Sequence, residues 1–228
     1  MRGPVAIGTT VKPHIVFLHT SPIHVDTFTR LTAATAPTLQ VQHRVDASLL
    51  TEAQRVGADD VGVIARVQAA VVAAAATGAA LVVCTCSTIG GAAETTPTGG
   101  RFIAARIDRA MADAAARLGP RILVMAALAS TLGPTAALIR QSATILGVAV
   151  ALDLQVAEGA WQHFVSGNQQ AYLEAIVQAV RVSVGAATVV VLAQASMAPA
   201  AGALRDLGVE VLSSPPLGMQ NILQQLAG

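Results

Sequence analysis

Apolar residues along this chain follow two alternating rhythms. Short runs rich in valine and isoleucine break off at small polar turns, and longer stretches rich in alanine and leucine lie between them. Continuous apolar runs are how parallel strands buried on both faces read. The runs predict strands at His14–His19, Gln40–Val45, Ala80–Cys84, Ile122–Ala126, Val148–Leu152, Thr188–Leu192 and Val209–Leu212. The stretches predict helices near Val25–Ala36, Asp59–Ala76, Ile103–Leu118, Thr135–Leu146, Gln169–Val184, Pro199–Leu207 and Gly218–Leu226. Gly78, Gly119-Pro120, Gly147, Gly185 and Gly208 fall where a helix must stop before the next strand. The alternation predicts an α/β fold of parallel sheets flanked by helices, with sites just beyond the carboxyl ends of the strands.

Those strand ends share a chemistry. They run into His19-Thr20-Ser21-Pro22, Cys84-Thr85-Cys86-Ser87-Thr88, Ser130-Thr131 through Thr135, Gln194-Ala195-Ser196 and Ser213-Ser214. Any one Ser or Thr here is an ordinary helix cap. Together they suggest hydroxyls and helix N-termini converging on a small anion such as a carboxylate. Val82-Val83-Cys84-Thr85-Cys86-Ser87-Thr88 and Val190-Val191-Leu192-Ala193-Gln194-Ala195-Ser196 have the same strand-then-turn form. Such a repeat fits two similar lobes facing each other across a cleft. The expected division is a first lobe over 1–98, with a C-terminal helix over 213–228 packing back on it, and a second lobe over 99–212.

Composition narrows the function classes. With 54% hydrophobic and 12% charged residues among 228, the chain can bury a large core, and net charge is only +1. Lys12 is the single lysine, and no basic patch interleaves with aromatics, so nucleic acid is not an expected partner. Uncharged stretches between Arg66 and Glu94 and between Arg181 and Arg205 are long enough to span a bilayer. Each is interrupted by glycine or polar residues and lacks an aromatic belt, so it reads as buried helix, turn and strand rather than a membrane segment. Met1 to Pro13 reads as a tail without signal-peptide character. Two cysteines two residues apart imply no disulfide framework, which suits a reducing cytoplasm. No His/Cys/Asp/Glu cluster has metal spacing, and no glycine-rich phosphate loop occurs, so no cofactor is expected.

Cys86 is the chain's most reactive candidate. It stands where a buried strand opens into a turn, near backbone N–H groups that favour the thiolate, so a lowered pKa and faster alkylation than Cys84 are expected. Small buried cysteines are also ordinary core residues, and this reading competes with the first. His19, at the end of the first strand, is a candidate partner acid or base, against the alternative of a strand-end histidine bonded to backbone. Asp59-Asp60 complements the dipole of the long helix, while Arg101 and Arg106 read as surface charges.

Cys86-Ser87-Thr88 after a buried strand resembles the first motif, Cys-Asn-Thr, of the aspartate/glutamate/hydantoin racemase superfamily. The turn Ser130–Thr135 looks like that family's carboxylate-binding turn, and Leu192-Ala193-Gln194-Ala195-Ser196-Met197 is similar to its second motif. The resemblance implies two α/β lobes with the site between them and proton transfer at cysteine without metal or pyridoxal phosphate. It further implies substrate contacts from Thr20, Ser21, Ser87, Thr88, Ser130, Thr131, Thr135, Gln194 and Ser196. The second motif carries Gln194 where racemases of the family carry a second cysteine. An amide does not titrate near neutrality and cannot act as general acid or base. The expected function is therefore single-cysteine, cofactor-independent chemistry of isomerase or decarboxylase type on a small carboxylate. The alternatives are a non-catalytic carboxylate-binding or regulatory homologue, and a racemase of amino acids or hydantoins whose second group is His19 or another side chain. Homo-oligomer formation is left open.

Overall fold

The computed structural model describes residues 14–227. Strands β1 (His14–His19), β2 (Gln40–Val45), β3 (Leu81–Cys84) and β4 (Ile103–Arg106) form one parallel sheet in the order β2-β1-β3-β4. Strands β5 (Arg121–Ala126), β6 (Ala151–Val156), β7 (Val189–Leu192) and β8 (Glu210–Ser213) form a second in the matching order β6-β5-β7-β8. The central strands are apolar throughout because both faces are covered: Leu81, Val82, Val83 and Cys84 are all buried, as are Val189, Val190, Val191 and Leu192. The repeat seen in the sequence is thus a repeat of topology. Leu18 pairs with Cys84 in the first sheet and Met125 with Leu192 in the second. Two residues past each pairing come Cys86 and Gln194.

Helices α1 (Ile23–Thr35), α2 (Ala47–Val56), α3 (Val61–Ala75) and α4 (Gly90–Glu94) follow strands of the first sheet. Helices α5 (Arg109–Leu118), α6 (Leu132–Leu146), α7 (Ala160–Val165), α8 (Gln169–Ser183) and α9 (Ser214–Ala227) complete the described chain. The long helix α3 begins where Asp60 Oδ1 accepts from the N–H groups of Gly62 and Val63, at 2.8 and 3.1 Å. A 3-10 segment covers Ala195–Leu207, an unusual length for that form. Pro199 lies inside it and has no N–H to donate.

Five expectations need correction. The first turn of the expected helix Ile103–Leu118 is strand β4, because pairing with β3 overrides the helical preference of its alanines. The first sheet therefore extends past residue 98, and the chain crosses to the second lobe only after Arg106. The strand expected at Val148–Leu152 lies at Ala151–Val156. It is a half-exposed edge strand carrying Asp153 and Gln155, so no apolar run marks it. Short helices α2, α4 and α7 were not expected. Arg106 is buried rather than at the surface, paired with buried Asp108 through Nε to Oδ1 at 2.6 Å.

The helices after the last strand of each sheet are exchanged. Helix α5 follows β4, yet Met111, Ala112 and Ala115 pack with Ile122, Val124, Val189 and Val191 of the second sheet. Helix α9 follows β8, yet Met219 and Ile222 pack with Ile15, Phe17, Leu81 and Val83 of the first. The two crossings touch: a Cβ on Gly218 would lie 2.2 Å from the carbonyl oxygen of Ile107, so only glycine fits. Among the described residues no helix is long and apolar enough to cross a membrane.

Candidate active site

The carboxyl ends of β1, β3, β5 and β7 meet at a cavity of about 30 Å³ between the lobes. Thr20, Ser21, Cys86, Ser87, Thr88, Thr131, Gln194 and Ser196 line it, together with His24, Leu50, Thr85, Leu128, Trp161, Phe164 and Ala195. Two hydrogen bonds tie the lobes across it. Ser87 Oγ donates to the Ala193 carbonyl at 2.8 Å, and the hydroxyls of Thr88 and Thr131 lie 3.1 Å apart. Ser130 and Thr135, expected to contact substrate, do not line it; their hydroxyl oxygens are buried without a partner among the described residues.

Cys86 is the thiol of the site. The Thr20 and Thr88 side chains and the backbone of Thr88 and Ile89 favour its thiolate. These donors pull the pKa down, as expected of a strand-end turn. Burial outweighs them, and the net direction is upward, which corrects the expected lowering. The physical reason is the lining, which among the described residues contains no lysine or arginine to pair with a thiolate. Cys84 is buried in the core beneath, its thiol directed to the Cys86 carbonyl at 3.6 Å, and burial raises its pKa strongly.

Gln194 is oriented by the second lobe. Its Oε1 accepts from the N–H of Ala127 at 2.6 Å and of Leu128 at 3.2 Å. Because both partners are donors, the oxygen must sit there, which fixes the amide flip. The NH₂ group is then the end left to offer to the cavity. Ser196 Oγ lies 2.6 Å from the Tyr172 hydroxyl, so buried Tyr172 positions that side chain from behind.

His19 does not line the cavity; Thr85 stands between. The Thr85 hydroxyl donates to the Leu18 carbonyl, so its oxygen accepts from His19 Nδ1–H at 2.8 Å. His19 Nε2 must then accept from His43 Nδ1–H at 2.9 Å, and His43 Nε2 from the Thr29 hydroxyl at 3.0 Å. Each proton in this chain is assigned, and a second proton on His19 would face the His43 donor. Burial, and then the neighbouring His24 and His43, push the His19 pKa down to about 3. Its imidazole is held neutral, with both ring nitrogens bonded and outside the cavity lining. The histidine that reaches the cavity is His24, 8% exposed, with Nδ1 buried and unpartnered among the described residues. Burial lowers its pKa to about 4.

A buried ion pair supports the cysteine turn from below. Arg106 Nη2 donates to the Ser87 carbonyl at 3.2 Å and to Asp108 Oδ2 at 3.0 Å. Burial would raise the Asp108 pKa, but the Arg106 guanidinium beside it holds it below its ordinary value. Glu94 is held by Arg109 and does not reach the cavity.

Comparison of the sequence with family models and with curated proteins finds no match. Comparison of structures does. The chain superposes on aspartate racemase from Picrophilus torridus with a TM-score of 0.68 at 9% identity, covering 94% of each chain. For glutamate racemase RacE1 from Bacillus anthracis the score is 0.65 at 14% identity, covering 93% of this chain and 82% of that one. A mutant arylmalonate decarboxylase in a sulfate-associated form gives 0.59 at 15%, covering 95% and 94%. The chain has the two-lobed racemase fold. In that fold the cavity lies at the meeting of the two sheets' carboxyl ends, as the resemblance in the turns implied. The sequence reading missed His24, Trp161 and Phe164. The signal for the last two was rarity: one tryptophan and four phenylalanines in the chain, with Trp161 and Phe164 one helical turn apart.

Proposed function

We propose that this chain is a cofactor-independent enzyme of the aspartate/glutamate racemase superfamily in which Cys86 alone transfers a proton at the carbon next to a carboxylate. The observation that carries the reading is the pairing of a thiol in one lobe with Gln194 at the equivalent place in the other. One group can exchange a proton; the other can donate hydrogen bonds to a carboxylate or enediolate. The raised pKa of Cys86 sets the direction: the resting group is a thiol, suited to giving a proton rather than taking one.

Decarboxylation of a substituted malonate suits such a site. The bond to one carboxylate breaks, carbon dioxide leaves, and the electron pair stays on the carbon as an enediolate. The enediolate oxygens take hydrogen bonds from the Gln194 amide and the Thr131 and Ser196 hydroxyls. The Cys86 S–H gives its proton to carbon, and the thiolate is stabilised by Thr20, Thr88 and Ile89 until water reprotonates it. Among the described residues the lining holds no Lys or Arg, which favours the step, since a desolvated carboxylate is lost as a neutral molecule.

The test is incubation with substituted malonates in deuterated water. Carbon dioxide release with one deuterium in the product, abolished by Cys86→Ala, is the expected result. Saturable binding with no release would return the chain to a non-catalytic carboxylate binder. Interconversion of D and L amino acids would favour a racemase whose second group is His24.

A further inference from the structure

Three donated hydrogen bonds in series stop at Thr85. This residue stands between Cys84 and Cys86, is 1% exposed and lines the cavity. Behind it every bond points the same way. The Thr29 hydroxyl donates to His43 Nε2, His43 Nδ1–H to His19 Nε2, and His19 Nδ1–H to the Thr85 hydroxyl oxygen, at 3.0, 2.9 and 2.8 Å. The line starts at exposed Thr29, passes half-buried His43 and enters the core at His19. Buried Phe17 and Phe28 flank it, with ring centroids 5.7 Å from His43 and 5.6 Å from His19.

The hydroxyl proton of Thr85 has two places to go. His19 Nδ1 carries its own proton and cannot accept, so the hydroxyl donates either to the Leu18 carbonyl or to a group in the cavity that Thr85 lines. The bond to Leu18 is long, at 3.3 Å, and that carbonyl already accepts the backbone N–H of Thr85 at 3.0 Å. Turning the hydroxyl away therefore orphans no buried carbonyl. His19 holds the oxygen in either setting. Hydrogen bonds aligned head to tail polarise one another, each by about 10–30%, so the last donor of the line is stronger than a lone threonine. The line carries no net charge, because burial keeps His19 neutral. That strength matters at a wall whose described residues include no Lys or Arg, where an entering carboxylate depends on neutral donors.

Resting on the proposed carboxylate chemistry, we propose that Thr85 is a further ligand-binding residue whose hydroxyl leaves the Leu18 carbonyl and donates to the carboxylate in the cavity. His19 and His43 are positioning residues, which hold its oxygen and strengthen it as a donor. The first sheet thereby supplies a carboxylate donor of its own beside the Gln194 amide of the second.

The test watches the far end of the line while the near end is loaded. The full chain, labelled with ¹⁵N in histidine, is titrated with formate and with acetate. The ring N–H signals of His19 and His43 are followed by NMR, and calorimetry gives the affinities. Both signals should move downfield together and saturate at the calorimetric affinity. Thr85→Ser should keep the response. Thr85→Val should lose it and bind about tenfold more weakly, the scale of one hydrogen bond to a charged group. His43→Phe keeps a ring beside Phe17 and breaks the line, and should weaken binding about threefold. A network that served only the fold would leave affinity unchanged in a folded His43→Phe. Binding that leaves both histidine signals still overturns the inference, as does a response that survives in Thr85→Val or an absence of saturable binding. Signals that move in a protein releasing no carbon dioxide from substituted malonates would uphold the inference and sink the proposed chemistry. Release of carbon dioxide with still histidine signals would do the reverse.

Discussion

Cys86 and Gln194 hold equivalent places in two sheets of identical strand order, and the residue that supports each is equivalent too. Thr20, one residue past β1, favours the Cys86 thiolate; Ala127, one residue past β5, donates its N–H to Gln194 Oε1 at 2.6 Å. The symmetry of the fold is therefore kept while the chemistry of its two halves is not.

Gln194 serves both architecture and site, and two substitutions separate these. Gln194→Leu strands the N–H groups of Ala127 and Leu128 and should cost about 1–3 kcal/mol in denaturant unfolding. Gln194→Glu keeps both hydrogen bonds, at the cost of a carboxylate set in a lining whose described residues include no Lys or Arg. It should weaken carboxylate binding tenfold or more in calorimetry, because it sets one anion against another. Equal binding by Gln194→Glu and wild type would remove Gln194 from the ligand site.

The two thiols should be distinguishable by alkylation rate against pH. Cys86 should react with iodoacetamide only slowly at neutral pH and reach half its maximal rate above pH 9, its ordinary value. Cys84 should stay unlabelled until the protein unfolds. Rapid labelling of Cys86 at pH 7 would show a thiolate in the resting site and reverse the direction of proton transfer argued above.

Stability should fall on mild acidification. Folded His19 and His24 take up protons only near pH 3 and 4, whereas in the unfolded chain each does so near its ordinary 6.5. Their neutral-state stabilisation is complete above pH 6.5 and is lost as pH falls towards the folded values. At pH 5 the loss should be about 2 kcal/mol for each residue. Urea midpoints measured from pH 8 to pH 5 check this, and His19→Asn should flatten part of the dependence.

Asp108 should dominate at lower pH. Its depressed pKa means a contribution present above the ordinary carboxylate range and lost as pH falls through the folded value. Asp108→Ala leaves Arg106 charged and unpaired in the interior and should cost about 3–5 kcal/mol. Because Arg106 also holds the Ser87 carbonyl, a milder variant such as Asp108→Asn should lower turnover along with the thermal midpoint. Unchanged turnover in a destabilised Asp108→Asn would show that the ion pair supports the fold without shaping the cysteine turn.

The strands β1 and β2 fall where the sequence puts them, since their ends are marked by His19-Thr20-Ser21 and by Val45-Asp46 against preceding loops. Cys86, Thr88, Thr131, Gln194 and Ser196 were legible for a related reason: a strand that stops at a polar turn delivers its next residues to the sheet's carboxyl edge. Strand β4 was not, because Ile103-Ala104-Ala105-Arg106 has no strand pattern apart from its partner β3. His19 misled because its surroundings come from another strand. His43 lies opposite Phe17 in the register of β1 and β2, and nothing local to His19 announces it. His24 was passed over inside α1, where direction depends on how that helix lies on the sheet.

The exchanged helices α5 and α9 bear on how the cleft can open. The chain passes between the lobes twice, once after β4 and once after β8, and Gly218 pressed on Ile107 shows that the two passages run side by side. Two adjacent threads act as the spine of a book. The covers can part about that line, but a sliding or twisting motion would shear Met219 and Ile222 from one sheet and Met111 and Ala115 from the other. Opening about that line would draw Cys86 on one page away from Gln194 on the facing one.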